Sequence, residues 1–133
     1  MSNIMPIPRA VGAPQNTSLP TILVAEFDNE LRISMASGLR KRGYIVLESK
    51  DDGEALGWVK LHSRHIHVLL ISGNRSGRLL ATTMKPYRPD MEIIFIAEHE
   101  QDRSSDTLAP DLVLERVMGI VKPRLAASAS GGY

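Results

Sequence analysis

The chain has 133 residues, 43% of them hydrophobic, which is enough for one domain with a real core and makes a second domain unexpected. The 16 basic and 15 acidic side chains leave a formal net charge of +1, and because only residues 40–42 form a basic cluster, no nucleic-acid-binding surface is predicted. Cysteine is absent, which excludes disulfides, zinc–thiolate sites and thiol catalysis and favours a reducing compartment, the cytoplasm.

The two ends of the chain differ from the middle. Prolines at positions 6, 8 and 14 interrupt the first residues too often for the apolar part of a secretory signal. No apolar run approaches the length of a membrane span, so no membrane contact is expected. We expect a disordered tail over 1–19, a folded domain over 20–127 and a flexible tail over 128–133.

Two strand-and-helix pairs open the folded region. Residues 21–25 form a Val- and Ile-containing run of strand length, and the apolar side chains after it recur three and four residues apart, as on one face of a helix. Asp28 is placed to cap this helix and Gly43 to end it. A second strand is predicted over 44–47, and Asp52 precedes the helix that follows it.

The second half continues this alternation less regularly. Further strands are predicted over residues 67–71, 93–97 and 112–114. Pro86 closes the helix after the third strand, and residues 102–108 make at best a short fourth helix. The last helical candidate covers 118–127, where Pro123 would kink or stop it.

Apolar strands that alternate with helices indicate a parallel sheet covered on both faces, because every strand then buries both of its sides. The predicted fold class is therefore α/β: a single doubly wound, flavodoxin-like domain with a five-stranded parallel sheet, helices on both faces and a short or kinked last helix. In such folds the chemistry lies at the carboxyl ends of the strands. The third strand ends at Ser72, so this serine is a candidate site residue.

Four segments, in order and suitably spaced, resemble the response-regulator receiver domains of bacterial two-component signalling. They are ILVAEFDNELR at 22–32, KRGYIVLESKDDGEAL at 41–56, RPDMEIIFIAEHE at 88–100 and PDLVLER at 110–116. The resemblance covers residues 20–118 and implies a role in phosphorelay signal transduction. In this family an aspartate at the end of the third strand accepts a phosphoryl group.

The resemblance also assigns the other positions of the phosphorylation site. In the family, two acidic residues after the first strand help to hold Mg²⁺, while a hydroxyl after the fourth strand and a lysine after the fifth bind the phosphoryl oxygens. The matching positions here hold Ser72 for the acceptor, Glu26 and Phe27 for the acidic pair, Ala97 for the hydroxyl and Arg116 for the lysine. Only one acidic residue and one positive charge remain.

These replacements predict a degenerate receiver that does not accept phosphate. A serine hydroxyl is a poor nucleophile without a neighbouring base. One carboxylate beside a phenylalanine is a poor Mg²⁺ site, so no enzyme activity, metal or other cofactor is predicted. Ala97 cannot donate a hydrogen bond, and Val113 stands where many receivers have an aromatic residue that moves with the hydroxyl.

Three points stay open at the level of sequence. Lys122 competes with Arg116 for the lysine position because Pro123 follows it, but the eleven residues after Lys122 are too few for a full closing helix, so we favour Arg116. Glu26 and Arg116 either pair across the empty pocket or are solvated separately. Phe27 either fills the metal position, which we favour, or is a half-exposed aromatic residue.

The turn at 72–78, SGNRSGR, offers an alternative function. A strand, a glycine loop and a helix start can direct backbone N–H groups at a small anion or a nucleotide. The segment lacks the Gly-Lys-Ser/Thr ending of a nucleotide loop, so we favour a tight turn that needs small residues. His65 and His67 could share one strand face, but with no third ligand in sight they are not predicted to bind metal.

The predicted function is that of a stand-alone receiver that binds a signalling protein without being phosphorylated. The partner is expected to be a histidine kinase or another regulator, and a homodimer is a further arrangement. The expected partner face lies around the short segment after the fourth strand and comprises Arg103, Asp106, Val113 and Met118.

Overall fold

The structure, a computed structural model, describes residues 19–122. The tails predicted at the two ends fall outside these residues, except for Leu19, and stay predictions. A five-stranded parallel sheet with the order β2-β1-β3-β4-β5 forms the centre of the described chain. Its strands are β1 (Thr21–Ala25), β2 (Ile45–Ser49), β3 (Val68–Ser72), β4 (Glu92–Ile96) and β5 (Thr107–Leu108), and the helices are α1 (Asn29–Lys41), α2 (Asp52–Leu61), α3 (Arg75–Met84) and α4 (Val113–Ile120).

Alternating strand side chains fill two cores, one on each face of the sheet. Ile22 and Val24 of β1 belong to the core that α1 and α4 cover. Leu23 and Ala25 belong to the opposite core, which α2 and α3 cover. The predicted fold class, a doubly wound α/β domain with helices on both faces and a short last helix, is confirmed.

The predicted helix ends agree closely with the structure. Asp28 caps α1 by accepting a hydrogen bond from the backbone N–H of Leu31 at 2.9 Å. Gly43 follows this helix with φ of 94°, a left-handed conformation that glycine adopts without strain. The cap of α2 is Asp51 rather than Asp52, and its carboxylate accepts from the N–H of Glu54 at 2.8 Å.

The predicted fifth strand is wrong. The observed β5 pairs with the end of β4, and residues 112–114 instead finish a 3₁₀ turn and begin α4. A short apolar run has the same appearance in a buried strand and in a buried helix turn, so periodicity could not separate the two. Val113 is buried from the helical side, at 2% exposure.

The predicted fourth helix over 102–108 is also wrong. The connection between β4 and β5 is the segment 97–106, whose only helical part is the three-residue 3₁₀ helix Glu100–Asp102. Parallel strands are usually connected by a dozen or more residues that include an α-helix. Ten residues leave no room for a helix and its two loops, so the connection stays irregular.

Gly77 is required by packing in the first turns of α3. A Cβ at this position would overlap the carbonyl oxygen of Ser72, whereas a Cβ at Gly57 in α2 would meet nothing within 4 Å. We expect Gly77→Ala to destabilise the fold by about 1–3 kcal/mol through overpacking. The control Gly57→Ala should stabilise it by roughly 0.5–1 kcal/mol. Urea unfolding measures both, and equal effects of the two substitutions would contradict this account.

Candidate functional site

The carboxyl ends of the parallel strands meet at one edge of the sheet. Ser72 is the last residue of β3 and lies level with Ile96 of β4, and Ala97 follows directly. Neither residue at the end of β4 therefore carries the hydroxyl that the receiver resemblance expects. The backbone N–H of Ala97 donates to the carbonyl of Leu108 at 2.9 Å, which ties the end of β4 to β5.

Ser72 closes a strand-to-helix turn. Its side chain is half-buried, and its hydroxyl oxygen accepts a hydrogen bond from the backbone N–H of Asn74 at 3.2 Å. Asn74 in turn caps α3 by accepting from the N–H of Gly77 at 2.8 Å. The hydroxyl thus has a local structural role, and its hydrogen-bond partner is an amide rather than a base that could activate it.

Neither of the two residues proposed for the lysine position lies there. Ala109 is the residue that follows β5, and Pro110 comes next. Arg116 is exposed on α4, and Lys122 lies beyond the end of that helix. The Arg116 assignment depended on a fifth strand at 112–114 and the Lys122 assignment on the proline that follows it, whereas the observed strand ends earlier and leaves an alanine at this edge.

Glu26 is the charged residue that the edge buries most completely. It is 2% exposed, and its Oε2 accepts a hydrogen bond from the backbone N–H of Asp28 at 3.0 Å. Its Oε1 has no hydrogen-bond partner among the described residues. Burial raises the pKa of Glu26 from 4.5 to about 8, with a further increase from the neighbouring Glu98 carboxyl.

Two sequence hypotheses about this pocket are wrong. Glu26 does not pair with Arg116, because its side-chain neighbour is Glu98 and Arg116 lies exposed on α4. Phe27 does not fill a metal position, because its side chain is 43% exposed. The side chain that does lie inside the edge is Glu26 itself.

Sequence reasoning missed the arginine that supports this edge from α1. Arg32 is buried, and its Nη1 donates to the main-chain carbonyl of Glu26 at 3.1 Å. Its charge is balanced from β2, where Glu48 accepts from its Nε at 3.3 Å and from Arg40 at 2.8 Å. The only signal in the sequence was its place one turn after the Asp28 cap, which does not indicate the direction of the side chain.

A second missed arginine joins two loops of the edge. The guanidinium of Arg78 donates to both carboxylate oxygens of Asp106, at 2.7 and 2.8 Å, and its Nε donates to the carbonyl of Gly73 at 2.8 Å. The same group lies over the ring of Phe95, 4.4 Å from its centre. Its hydrogen bond lowers the pKa of Asp106, so the pair stays ionised well into acid. We call this arrangement the Arg78 clamp.

The turn at 72–78 is occupied by its own contacts. A Cβ at Gly73 would lie 2.7 Å from the Thr107 side chain, so this glycine, like Gly77, is needed for packing. The N–H of Gly73 donates to Ile96 and the N–H of Arg78 to Asn74. The geometry supports the tight-turn interpretation, and no observation favours an anion or nucleotide at this turn.

The residues predicted for a partner face do not form one surface. Val113 is in the core, which corrects its assignment, and Met118 packs partly buried against the same core. Asp106 is held in the Arg78 clamp. Arg103 is 69% exposed, and its Nη1 makes long contacts of 3.3 and 3.4 Å with the two carboxylate oxygens of Glu100, so it is the more exposed of the two charged residues of the set.

The described residues offer little to other classes of ligand. His67, the residue before β3, accepts a hydrogen bond from the backbone N–H of Thr21 through Nδ1, at 3.0 Å. Between residues 19 and 122 no three His, Asp or Glu side chains are grouped as a metal site would require. No helix in that range has the length and apolar character to cross a bilayer.

Searches with the sequence found no matching protein-family model and no matching curated protein. Solved structures do match. The receiver domain of the hybrid histidine kinase CckA is 26% identical, over 77% of this chain and 99% of its own, with a TM-score of 0.63. A Burkholderia pseudomallei response regulator with a phosphorylated aspartic acid, a calcium ion and citrate is 19% identical, over 85% and 72%, with a TM-score of 0.62. The Thermotoga maritima response regulator TrrA in complex with Mg²⁺ and BeF is 19% identical, over 77% and 100%, with a TM-score of 0.63.

The Arg78 clamp should order the connection between β4 and β5. We expect Arg78→Ala to increase hydrogen exchange of the backbone amides in 97–106, because this substitution removes the contacts to both loops at once. Arg75→Ala, on the exposed side of the same helix, is the matched control and should leave exchange unchanged. Native-state exchange followed by NMR measures both, and equal protection in the two variants would show that the clamp does not hold the segment.

Proposed function

We propose that this chain, which has the fold of response-regulator receiver domains, acts in two-component signalling by binding a protein partner without accepting a phosphoryl group. The observation that carries the proposal is the state of the strand ends. Ser72, Phe27, Ala97 and Ala109 stand where the family has its acceptor, one acidic residue, its hydroxyl and its lysine. We propose no catalytic role for any of them.

The charges at this edge also disfavour a phosphoryl group. Such a group is strongly anionic and requires cations or hydrogen-bond donors around it. The buried Glu26 and half-buried Glu98 carboxyls at this edge would repel an anion. Arg32 and Arg78 are already paired with Glu48 and Asp106. This arrangement differs from the chemistry of the Burkholderia protein with its phosphorylated aspartic acid.

The partner we propose is a signalling protein, a histidine kinase or another regulator, that contacts the segment 97–106. This segment replaces the helical connection expected between two parallel strands, so its surface is particular to this chain. It exposes Arg103 beside the 3₁₀ helix Glu100–Asp102, and the Arg78 clamp holds its far end at Asp106. A surface held by the chain's own contacts does not need phosphorylation to form.

Beryllofluoride with Mg²⁺ should leave this chain unchanged. We expect no change in backbone amide shifts, because no carboxylate lies at the end of β3 to bind the beryllium. Ser72→Asp alone should also fail to respond, because the residues at the other three positions would still be missing. The Thermotoga protein solved with Mg²⁺ and BeF is the positive control. Saturable shift changes in the wild type would contradict the proposed function.

Reversal of the exposed charge at Arg103 should weaken partner binding. We expect Arg103→Glu to reduce the affinity for proteins that co-purify from the source cell more than tenfold, about 1.4 kcal/mol. The matched control is Arg64→Glu, which makes the same charge change at an exposed position before β3, at the opposite edge of the sheet. Ser72→Ala and the presence of a phosphodonor should both leave binding unchanged.

The opposite pattern would overturn the proposal. Loss of binding in Ser72→Ala together with normal binding in Arg103→Glu would make the strand-end pocket the active element. Asp106 is not used in this test because its reversal would also break the Arg78 clamp. Surface plasmon resonance with the purified partner separates these outcomes.

A further inference from the structure

Two carboxyl groups meet at the sheet edge from opposite sides of β3. Glu26 follows β1, Glu98 lies two residues beyond β4, and the strand order places β3 between them. The Glu98 carboxyl lies within hydrogen-bonding reach of Glu26. Glu26 is almost fully buried and its Oε1 lacks a donor, whereas Glu98 is half-buried and begins the segment that leads to β5.

Two ionised carboxylates in this position would repel each other, and the buried one would also lose its hydration. A proton between them removes one negative charge and supplies the donor that Glu26 Oε1 lacks. In aspartic proteases, two neighbouring carboxyl groups share one proton for the same electrostatic reason. The proton therefore turns a repulsive contact into a hydrogen bond between the end of β1 and the start of the segment 97–106.

The other charged groups around Glu26 do not compensate for the loss of this proton. Asp28, from the turn before α1, adds a further negative charge. Arg32, from α1, contacts the main-chain carbonyl of Glu26, but the carboxylate it pairs with is Glu48 of β2. The last residues of β3 and β5 are Ser72 and Leu108, which carry no charge.

We propose that Glu26 and Glu98 share one proton, and that this proton latches the segment 97–106 to the end of β1 until alkaline pH releases it. Ionisation of both groups then drives Glu98, the more exposed of the two, into solvent. The surface that carries Arg103 changes with it. The link to partner binding rests on the proposed function, whereas the latch itself does not.

The latch also makes stability depend on pH in a defined direction. The pKa of Glu26 in the folded chain is raised from 4.5 to about 8. Between these two pH values the folded state therefore keeps a proton on this carboxyl, whereas the unfolded state has lost it. The stabilisation that comes with this proton is complete below pH 4.5 and is lost as the pH rises through about 8. Stability should therefore fall across this interval.

The test follows the wild-type chain by NMR from pH 5 to pH 10, observing side-chain carboxyl carbons and backbone amides. We expect the Glu26 carboxyl signal to titrate with a midpoint near pH 8, and the amides of 97–106 to shift with the same midpoint. Glu98→Gln and Glu26→Gln each replace the shared proton by an amide donor. Glu98→Gln should move the amide midpoint down by at least one pH unit, and Glu26→Gln should abolish the transition, because it removes the titrating group. The exposed Glu100→Gln, in the same segment, is the matched control and should leave the midpoint unchanged.

An amide midpoint that stays near its wild-type value in Glu98→Gln would overturn the latch, and so would amides of 97–106 that do not follow the titration of Glu26. If Glu26→Gln does not fold, Glu98→Gln decides alone, because Glu98 is only half-buried. Loss of the wild-type transition on addition of Mg²⁺ would identify a cation site in place of the shared proton. None of these measurements needs a partner. The latch can therefore fail while phosphate-independent binding is confirmed, and phosphate-independent binding can fail while the latch is confirmed.

Discussion

Burial of β1 on both faces is the constraint on which the rest of the structure depends. Ile22, Leu23 and Val24 are inaccessible to solvent, so each face of the sheet needs a layer of helices over this strand. Since β1 lies between β2 and β3, the helices that connect these strands must cross on opposite faces. The same arrangement buries Glu26, the residue that follows β1, together with its carboxyl group.

The sheet edge is stabilised by contacts within the protein where a phosphorylated receiver would use metal and phosphoryl contacts. Ser72 holds its own turn, and the glycines of that turn fit against Thr107 and a backbone carbonyl. Arg32 and Arg78 attach helices to loops through carboxylates. The shape of this edge is therefore defined by contacts among the described residues.

The shortened connection between β4 and β5 has the largest effect on the surface. Without a helix, the segment 97–106 covers little of the sheet, and Phe95 stays half-buried under the guanidinium of Arg78. The segment is held at its end by the Arg78 clamp and at its start by the contact between Glu98 and Glu26. These two attachments differ in chemistry: the clamp pair stays ionised over a wide pH range, whereas the carboxyl pair depends on a proton.

The sequence by itself determined the fold class, the first four strands and the cap and end of α1. These features depend on neighbouring residues: apolar runs, the oxygen of Asp28 three residues before an amide, and the positive φ that suits Gly43. The position of Ser72 at the end of β3 was also predictable, because it depends only on where an apolar run stops. Tertiary structure decided the place of β5 and the state of the pocket. The run at 112–114 has an apolar pattern typical of either a buried strand or a buried helix turn, and the pairing of β4 with Thr107–Leu108 left this run to α4. The meeting of Glu26 with Glu98, and of Arg78 with Asp106, joins residues far apart in the chain, so no local pattern could specify these contacts.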